Sequence, residues 1–446
     1  MTRLRNFSLL LAAAASVPAL AQQQQAQRRT VSLKEALQLA AKQGPDVAAA
    51  RAQAEIARAG VQRAWTAWQP DISATGTFDH TNGNAFFDLG SLGQIFALRP
   101  GAVIPPPIEI VKQNNWYGTG QITQPLFTPQ GLFGPGVANS AAEAASHGAD
   151  EAREQVLLSV ARTYLSLQGL EGLLIAARDA EKVALRREED AKARIAAGTD
   201  VEIGLLRAQT ETAQARVQIA ALQGQQESLL PLLEALTGES IAPQPISGAQ
   251  QEMGRPAPES AQPWENAYAV KSAIAQAEAA IKAKRQSLFL WLPSVAGIAK
   301  ENYTSNEGFS GKNWTYDLMV NVTVPLYDRG TRYAQLHEDE AKLSQAQAQL
   351  ASIRAKARSG WIGAVANMNA AQAVLQQSEA QAQLATRAQV QVEAAARAGV
   401  ATSLDLSDAD QKKFAAQSAA AQARAEVAVR KAEVAAAEGR LYELSR

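Results

Sequence analysis

"WTYDLMVNVTVPLY", residues 314–327, alternates almost without a break. Trp314, Tyr316, Leu318, Val320, Val322 and Val324 fall on one face, and Thr315, Asp317, Asn321 and Thr323 on the other. Side chains of an extended chain point alternately to its two sides, so this period of two predicts a strand with one apolar and one polar face. Just beyond it, from about Arg332 to Ala398, there is no proline. That stretch predicts a single helix on the order of 100 Å long at 1.5 Å per residue.

The pairing of a strand with a very long helix occurs twice, the other proline-free stretch running from about Ala138 to Ala197. "WQPDISATGTF" (68–78) matches "WLPSVAGIAKE" (291–301), "TQPLFTPQG" (123–131) matches "TVPLYDRGT" (323–331), and "ARIAAGTDVEIGLLRAQ" (193–209) matches "AAARAGVATSLDLSDAD" (394–410). Such self-similarity indicates an internal duplication. The expected organisation is a secretory signal over 1–21, a first repeat over 22–237, a Pro/Gly/Gln-rich linker over 238–263 and a second repeat over 264–446. Each repeat reads helix, strand, loop, strand, long helix, glycine turn, helix. The long loop of the first copy, 82–115, is apolar for a surface loop; the sequence leaves open whether it folds over its surroundings or stays unstructured.

Alanine makes up roughly a fifth of the chain, well above ordinary usage, and favours long helices. Leu336, Leu343, Leu350, Ala357, Ala364 and Ala371 recur every seven residues, and Val156, Val160, Thr163, Leu167, Leu170 and Leu174 alternate steps of four and three. Both are heptad seams, and small side chains on them suit helices ranged around a wide tube better than a thick core. Lys+Arg and Asp+Glu each number 43, so no field points to nucleic acid. There is no cysteine, and His80, His147 and His337 lack ligand-like spacing, so no metal or cofactor is expected. Nor does a nucleophile–base arrangement or a phosphate loop appear, which argues against an enzyme.

Arg3, Arg5, the apolar run "NFSLLLAAAASV" and Ala19 and Ala21 before Gln22 have the layout of a secretory signal. No later run is apolar for the length of a spanning helix. Aromatic residues gather at the strand ends: Trp68, Trp291, Phe127 and Tyr327 at one end, Trp116, Tyr117, Trp314 and Tyr316 at the other. Two such belts are what a bilayer-crossing β-barrel carries at its interfaces. One chain supplies about four strands of that length, whereas closed bacterial barrels have at least eight. An open sheet in lipid leaves edge groups unpaired, so several chains must close one barrel.

In this order, and twice over, these features resemble the TolC family of outer-membrane efflux proteins. The resemblance covers nearly the whole mature sequence and rests on the duplicated layout, on "QPLF" (124–127) and "VPLY" (324–327), and on the "AG" turns followed by "SLDLSDAD" (403–410). It implies a mainly α fold with a small β-barrel portion. The expected assembly is a homotrimer whose twelve strands form a shared barrel in outer-membrane lipid, above a coiled-coil α-barrel in the periplasm. The implied role is a passive exit duct working with a periplasmic adaptor (membrane fusion protein) and an inner-membrane transporter, in efflux or type I secretion. Gly198, Thr199, Gly399 and Val400 would be the periplasmic tips that meet the adaptor. Asp405 and Asp408, three apart and on one helix face, would line the entrance as an acidic ring. Asp410, rotated away from them, reads as a solvated charge. Ala396, Ala401 and Gly204 stand where the family carries the polar residues that lock the entrance. The competing reading is an exported structural or adhesive coiled-coil protein, which the strand pairs and aromatic belts disfavour.

Overall fold

The computed structural model describes residues 28–87, 107–198, 201–245, 256–307 and 311–445. The expected signal, Thr199, the middle of the linker (246–255) and the middle of the 82–115 loop lie outside them. In chain order the elements are β1 (Arg29–Val31), α1 (Leu33–Gln43), α2 (Pro45–Trp65), β2 (Asp71–His80), β3 (Ala85–Phe87), β4 (Ile108–Val111), β5 (Asn114–Phe127), α3 (Pro129–Ala196), α4 (Glu202–Thr237), β6 (Ile241–Pro243), α5 (Tyr268–Leu288), β7 (Ser294–Thr304), β8 (Trp314–Thr323), α6 (Thr331–Arg397), α7 (Ser403–Ala437) and α8 (Leu441–Ser445). The chain divides into two compact units, 1–51 with 149–270 and 354–446, and 52–148 with 271–353, so each unit draws on both repeats. No described helix is long and apolar enough to cross a membrane.

The first unit is helical and built around an apolar core. The Ser32 hydroxyl caps α1 by accepting the Glu35 N–H at 3.2 Å, which satisfies one of the donors a helix start leaves free. Leu33, Ala36, Leu37, Ala40 and Ala41 then face inward, against Leu157, Val160, Tyr164, Leu233, Ile241, Ala432 and Leu441. Three residues of the stretch read as linker form β6, which pairs in parallel with β1 from Arg29↔Ile241 to Val31↔Pro243. Tyr164, 1% exposed, locks that pairing: its hydroxyl donates to the Val31 carbonyl at 2.8 Å and accepts the Gln244 N–H at 3.2 Å. Nearby, Glu154 accepts the Tyr442 N–H at 3.0 Å, and the Arg153 guanidinium lies 3.6 Å from the centre of the Tyr442 ring.

The second unit carries a four-stranded antiparallel sheet in the order β2-β5-β7-β8. Its register aligns the alternation of all four strands. Ile72 faces Ile122, which faces Ala299, which faces Leu318. One face of the sheet therefore collects Ile72, Phe78, Trp116, Ile122, Tyr316, Leu318 and Val320, all exposed. The opposite face carries Asp71, Thr75, Thr119, Gln121, Lys300 and Asp317. Among the described residues, β2 and β8 have no outer partner. Helix ends at Trp65, Pro129, Leu288 and Thr331 all adjoin one end of the sheet.

Two element boundaries differ from the sequence expectation. "VPLY" is not the end of a strand: β8 stops at Thr323, two residues before Pro325, while β5 runs through Pro125 to Phe127 by way of a register shift. Proline has no N–H to give a ladder, and an irregularity is one way for a strand to continue past it. The first long helix, expected from about Ala138, starts at Pro129 and contains Pro135. A proline leaves the carbonyl four residues earlier without its helical donor. That carbonyl belongs to Gly131, and it accepts the Trp68 indole N–H at 2.8 Å instead. The base of the 82–115 loop is an antiparallel ribbon of β3 and β4.

Candidate functional site

The expected site residues lie at two places, the glycine turns of the first unit and the ends of the sheet in the second. Gly198 and Gly399 have φ of +73° and +79°, in the left-handed region that favours glycine. At the second turn the Val400 N–H donates to the Ala395 carbonyl at 2.9 Å and the Gly399 N–H to the Ala396 carbonyl at 3.0 Å. This paired closure satisfies two carbonyls that a helix end would otherwise leave free. Val400 is 82% exposed, and Val201, Ile203, Leu206 and Leu404 near the two turns are also exposed. Val201, Ile203, Leu206 and Leu404 were not singled out from the sequence; these four apolar side chains close after the two turn glycines were the available signal.

Thr402 caps α7. Its hydroxyl accepts the Asp405 N–H at 3.3 Å, and Asp405 in return accepts the Thr402 N–H at 2.9 Å and the Thr402 hydroxyl at 2.7 Å. This reciprocal capping box fixes the first turn. The Thr402 hydroxyl, then its N–H, hold the Asp405 carboxyl below the usual range. Asp408 is exposed and pairs with Lys412 one turn on, at 2.6 Å. Asp405, Asp408 and Lys412 thus follow one face of α7, while Leu406 and Ala409 are buried on another.

Asp410 is not a solvated charge. It sits on the packed side of α7, where it accepts the Arg187 Nε–H of α3 at 3.2 Å and the Gln389 side-chain amide of α6 at 3.0 Å. Gln389 is 5% exposed. Ser407, one turn earlier, donates to Glu211 of α4. The start of α7 is therefore tied to all three neighbouring long helices. Arg187, Glu211 and Gln389 had no local sequence signal, because the α3 and α4 partners lie roughly two hundred residues away and none forms a motif with α7. Ala396, Ala401 and Gly204 bring no polar side chain to this end.

The aromatic side chains occupy both ends of the sheet. Trp116 packs on Phe78 with ring centres 4.9 Å apart, and Trp314 on Tyr303 at 4.9 Å. At the helix-bearing end, Trp291 meets Tyr333 edge-on at 4.8 Å, Trp68 is held by Gly131, and Phe127 ends β5. Tyr327, 81% exposed, lies past the end of β8. Among the described residues no group of three His, Cys, Asp or Glu side chains is placed to hold a metal ion.

Comparison with known proteins places this arrangement. The outer membrane efflux protein family matches residues 36–239 and 265–440. Among solved structures, the chain resembles the outer membrane protein VceC of Vibrio cholerae, with a TM-score of 0.73 and 19% identity over 91% of this chain and 96% of that one. It resembles the CmeC outer membrane channel of Campylobacter jejuni, with a TM-score of 0.73 and 15% identity over 93% and 89%. The MtrE outer membrane channel of Neisseria gonorrhoeae, in its open state, gives 0.73 and 16% over 92% and 89%. No curated protein sequence matches. The mainly helical fold with a four-stranded sheet is thus the fold of these channels, and with four-fifths and more of its length matched by the family, the chain belongs to the outer membrane efflux proteins, a family of outer-membrane channels that extend into the periplasm.

Proposed function

We propose that the protein is the outer-membrane exit duct of a tripartite efflux or type I secretion system and acts as a homotrimer. The observation that carries this reading is the four-stranded sheet with one exposed apolar face and two unpaired edges. Lipid accepts the apolar face but not the edges, so β8 of one copy pairs with β2 of the next until the sheet closes. Three copies give twelve strands, with the Asp71, Thr119 and Lys300 face turned to a water-filled lumen. Trp68, Trp291, Phe127 and Tyr327 sit at the periplasmic interface, and Trp116 and Trp314 at the outer one. The two repeats over 22–237 and 264–446, joined by a linker over 238–263, supply equivalent strands and helices.

Transport through such a duct is passive and needs no catalytic residue. The exposed Asp405 and Asp408 of three chains form the acidic ring of the entrance, which favours cations and repels anions. The ties of Asp410 and Ser407 hold α7 in place and take the role that Ala396, Ala401 and Gly204 cannot fill. The tips at Gly198, Thr199, Gly399 and Val400, with their exposed apolar neighbours, receive the helical hairpins of a periplasmic adaptor, which links the duct to an inner-membrane transporter. The testing experiment is a mass measurement in detergent followed by planar-bilayer recording. A trimer that conducts is expected; a monomer that conducts nothing would overturn the reading and favour a non-transporting coiled-coil protein.

A further inference from the structure

The two repeats differ at the helix-bearing end of the sheet. The first runs Phe127-Thr128-Pro129-Gln130-Gly131 and is uncharged; the second runs Tyr327-Asp328-Arg329-Gly330-Thr331-Arg332. Exposed apolar and aromatic side chains surround the charged version, among them Trp291, Leu326, Tyr327 and Tyr333. Arg329 is exposed and has no carboxylate partner among the described residues. Among the described residues it is one of two non-glycine residues with positive φ, at 60°, and Gly330 follows at 81°. Left-handed backbone is uncommon for such a side chain. Arg332 is 7% exposed and lies over the Trp291 ring at 4.3 Å. Its Nε donates to Asp328 at 2.9 Å, and its two terminal nitrogens have no hydrogen-bond partner. Asp328 also accepts the Arg332 N–H at 3.2 Å. The segment therefore carries two guanidinium groups against one carboxylate, at the start of a 67-residue helix whose N-terminus is itself positive.

We propose that Arg329, backed by Arg332 and the first turn of α6, binds the phosphate of an anionic phospholipid in the periplasm-facing leaflet, one lipid per chain. The inference rests on the shared-barrel reading, which sets the aromatic belt at headgroup depth. Trp and Tyr rings take up that level, and a cation there attracts anionic lipid over a distance limited by screening. The guanidinium fork matches two phosphate oxygens at once. Asp328 turns its carboxylate to the Arg332 Nε and backbone N–H and not to Arg329, which leaves the exposed arginine for an external anion.

The test uses the full-length protein in nanodiscs of equal parts phosphatidylglycerol and phosphatidylcholine at low salt, with retained lipids read by native mass spectrometry. Wild type should keep phosphatidylglycerol preferentially, with up to one per chain. Arg329→Ala should lower that preference about fivefold, as removal of one interfacial cation implies, and Arg329→Lys should restore most of it. Arg329→Gly, which suits the left-handed backbone, should lose the preference without loss of fold. Equal retention of the two lipids by wild type, or a preference unchanged in both uncharged variants, overturns the proposal while the barrel reading stands. A protein that enters neither lipid overturns both.

Discussion

Glu154 and Asp410 are two carboxylates withdrawn from water and held in different ways. Glu154 is 6% exposed, and one of its oxygens has no partner. Burial pushes its pKa up to about 7, against the pull of the Tyr442 N–H and Arg153. A folded pKa above the unfolded value gives stability that is complete below about 4.5 and lost as pH rises through 7, here about 3 kcal/mol in all. Glu154→Gln should therefore match wild type near pH 5 and exceed it at pH 8, as thermal melts across that range would record; parallel pH profiles would refute this. Asp410 has the Arg187 guanidinium instead, with both side chains about four-fifths buried. A double-mutant cycle on Arg187→Ala and Asp410→Ala should return a coupling of about 1 kcal/mol, against less than about 0.5 kcal/mol for the exposed Asp408–Lys412 pair. The three-residue spacing of Asp405 and Asp408 made their shared face legible in the sequence. The role of Asp410 was not legible, because its charge partner lies on another helix 223 positions away.

At the level of elements, alternation revealed β8, the internal repeat extended that reading to β2, β5 and β7, and freedom from proline revealed the two long helices. Such patterns need length to show. β1 and β6 have three residues each, too few for any period, and their pairing is a tertiary fact. The proline rule failed at Pro135 for a definable reason: it assumes that no distant donor replaces the lost N–H, and Trp68 supplies one from 63 positions away. Trp68→Phe keeps most of the ring and removes only the donor. It should cost about 1–2 kcal/mol, the desolvation of one unpaired buried carbonyl. Trp68→Phe in combination with Pro135→Ala, which restores the helical N–H, should recover most of that loss; a double variant as unstable as the single one would show that the indole N–H is not the missing donor.

The assembly is the scale at which sequence and fold both speak through an incomplete object. Four strands with an apolar face were countable from the sequence, and the unpaired edges of β2 and β8 state the same incompleteness in the fold. The proposed entrance is best tested at this scale, because the proposed ring of carboxylates would exist only when copies come together. Multivalent cations on the side of the helix tips should block the conducting channel. Asp405→Ala with Asp408→Ala should weaken that block on the order of tenfold, as loss of a concentrated field implies. A block of undiminished affinity would remove both residues from the entrance.

The short pairing of β1 with β6 also bears on how the chain is built. The strand that residues 29–31 pair with lies more than two hundred positions later, and Leu441, which closes the same core, comes later still. Contacts so distant in sequence slow folding, because loop closure comes before any reward. Val31 and Leu37 therefore stay uncovered until the segments carrying Ile241 and Leu441 are present. A chain cut short anywhere before Leu441 therefore lacks part of the core that covers Val31 and Leu37.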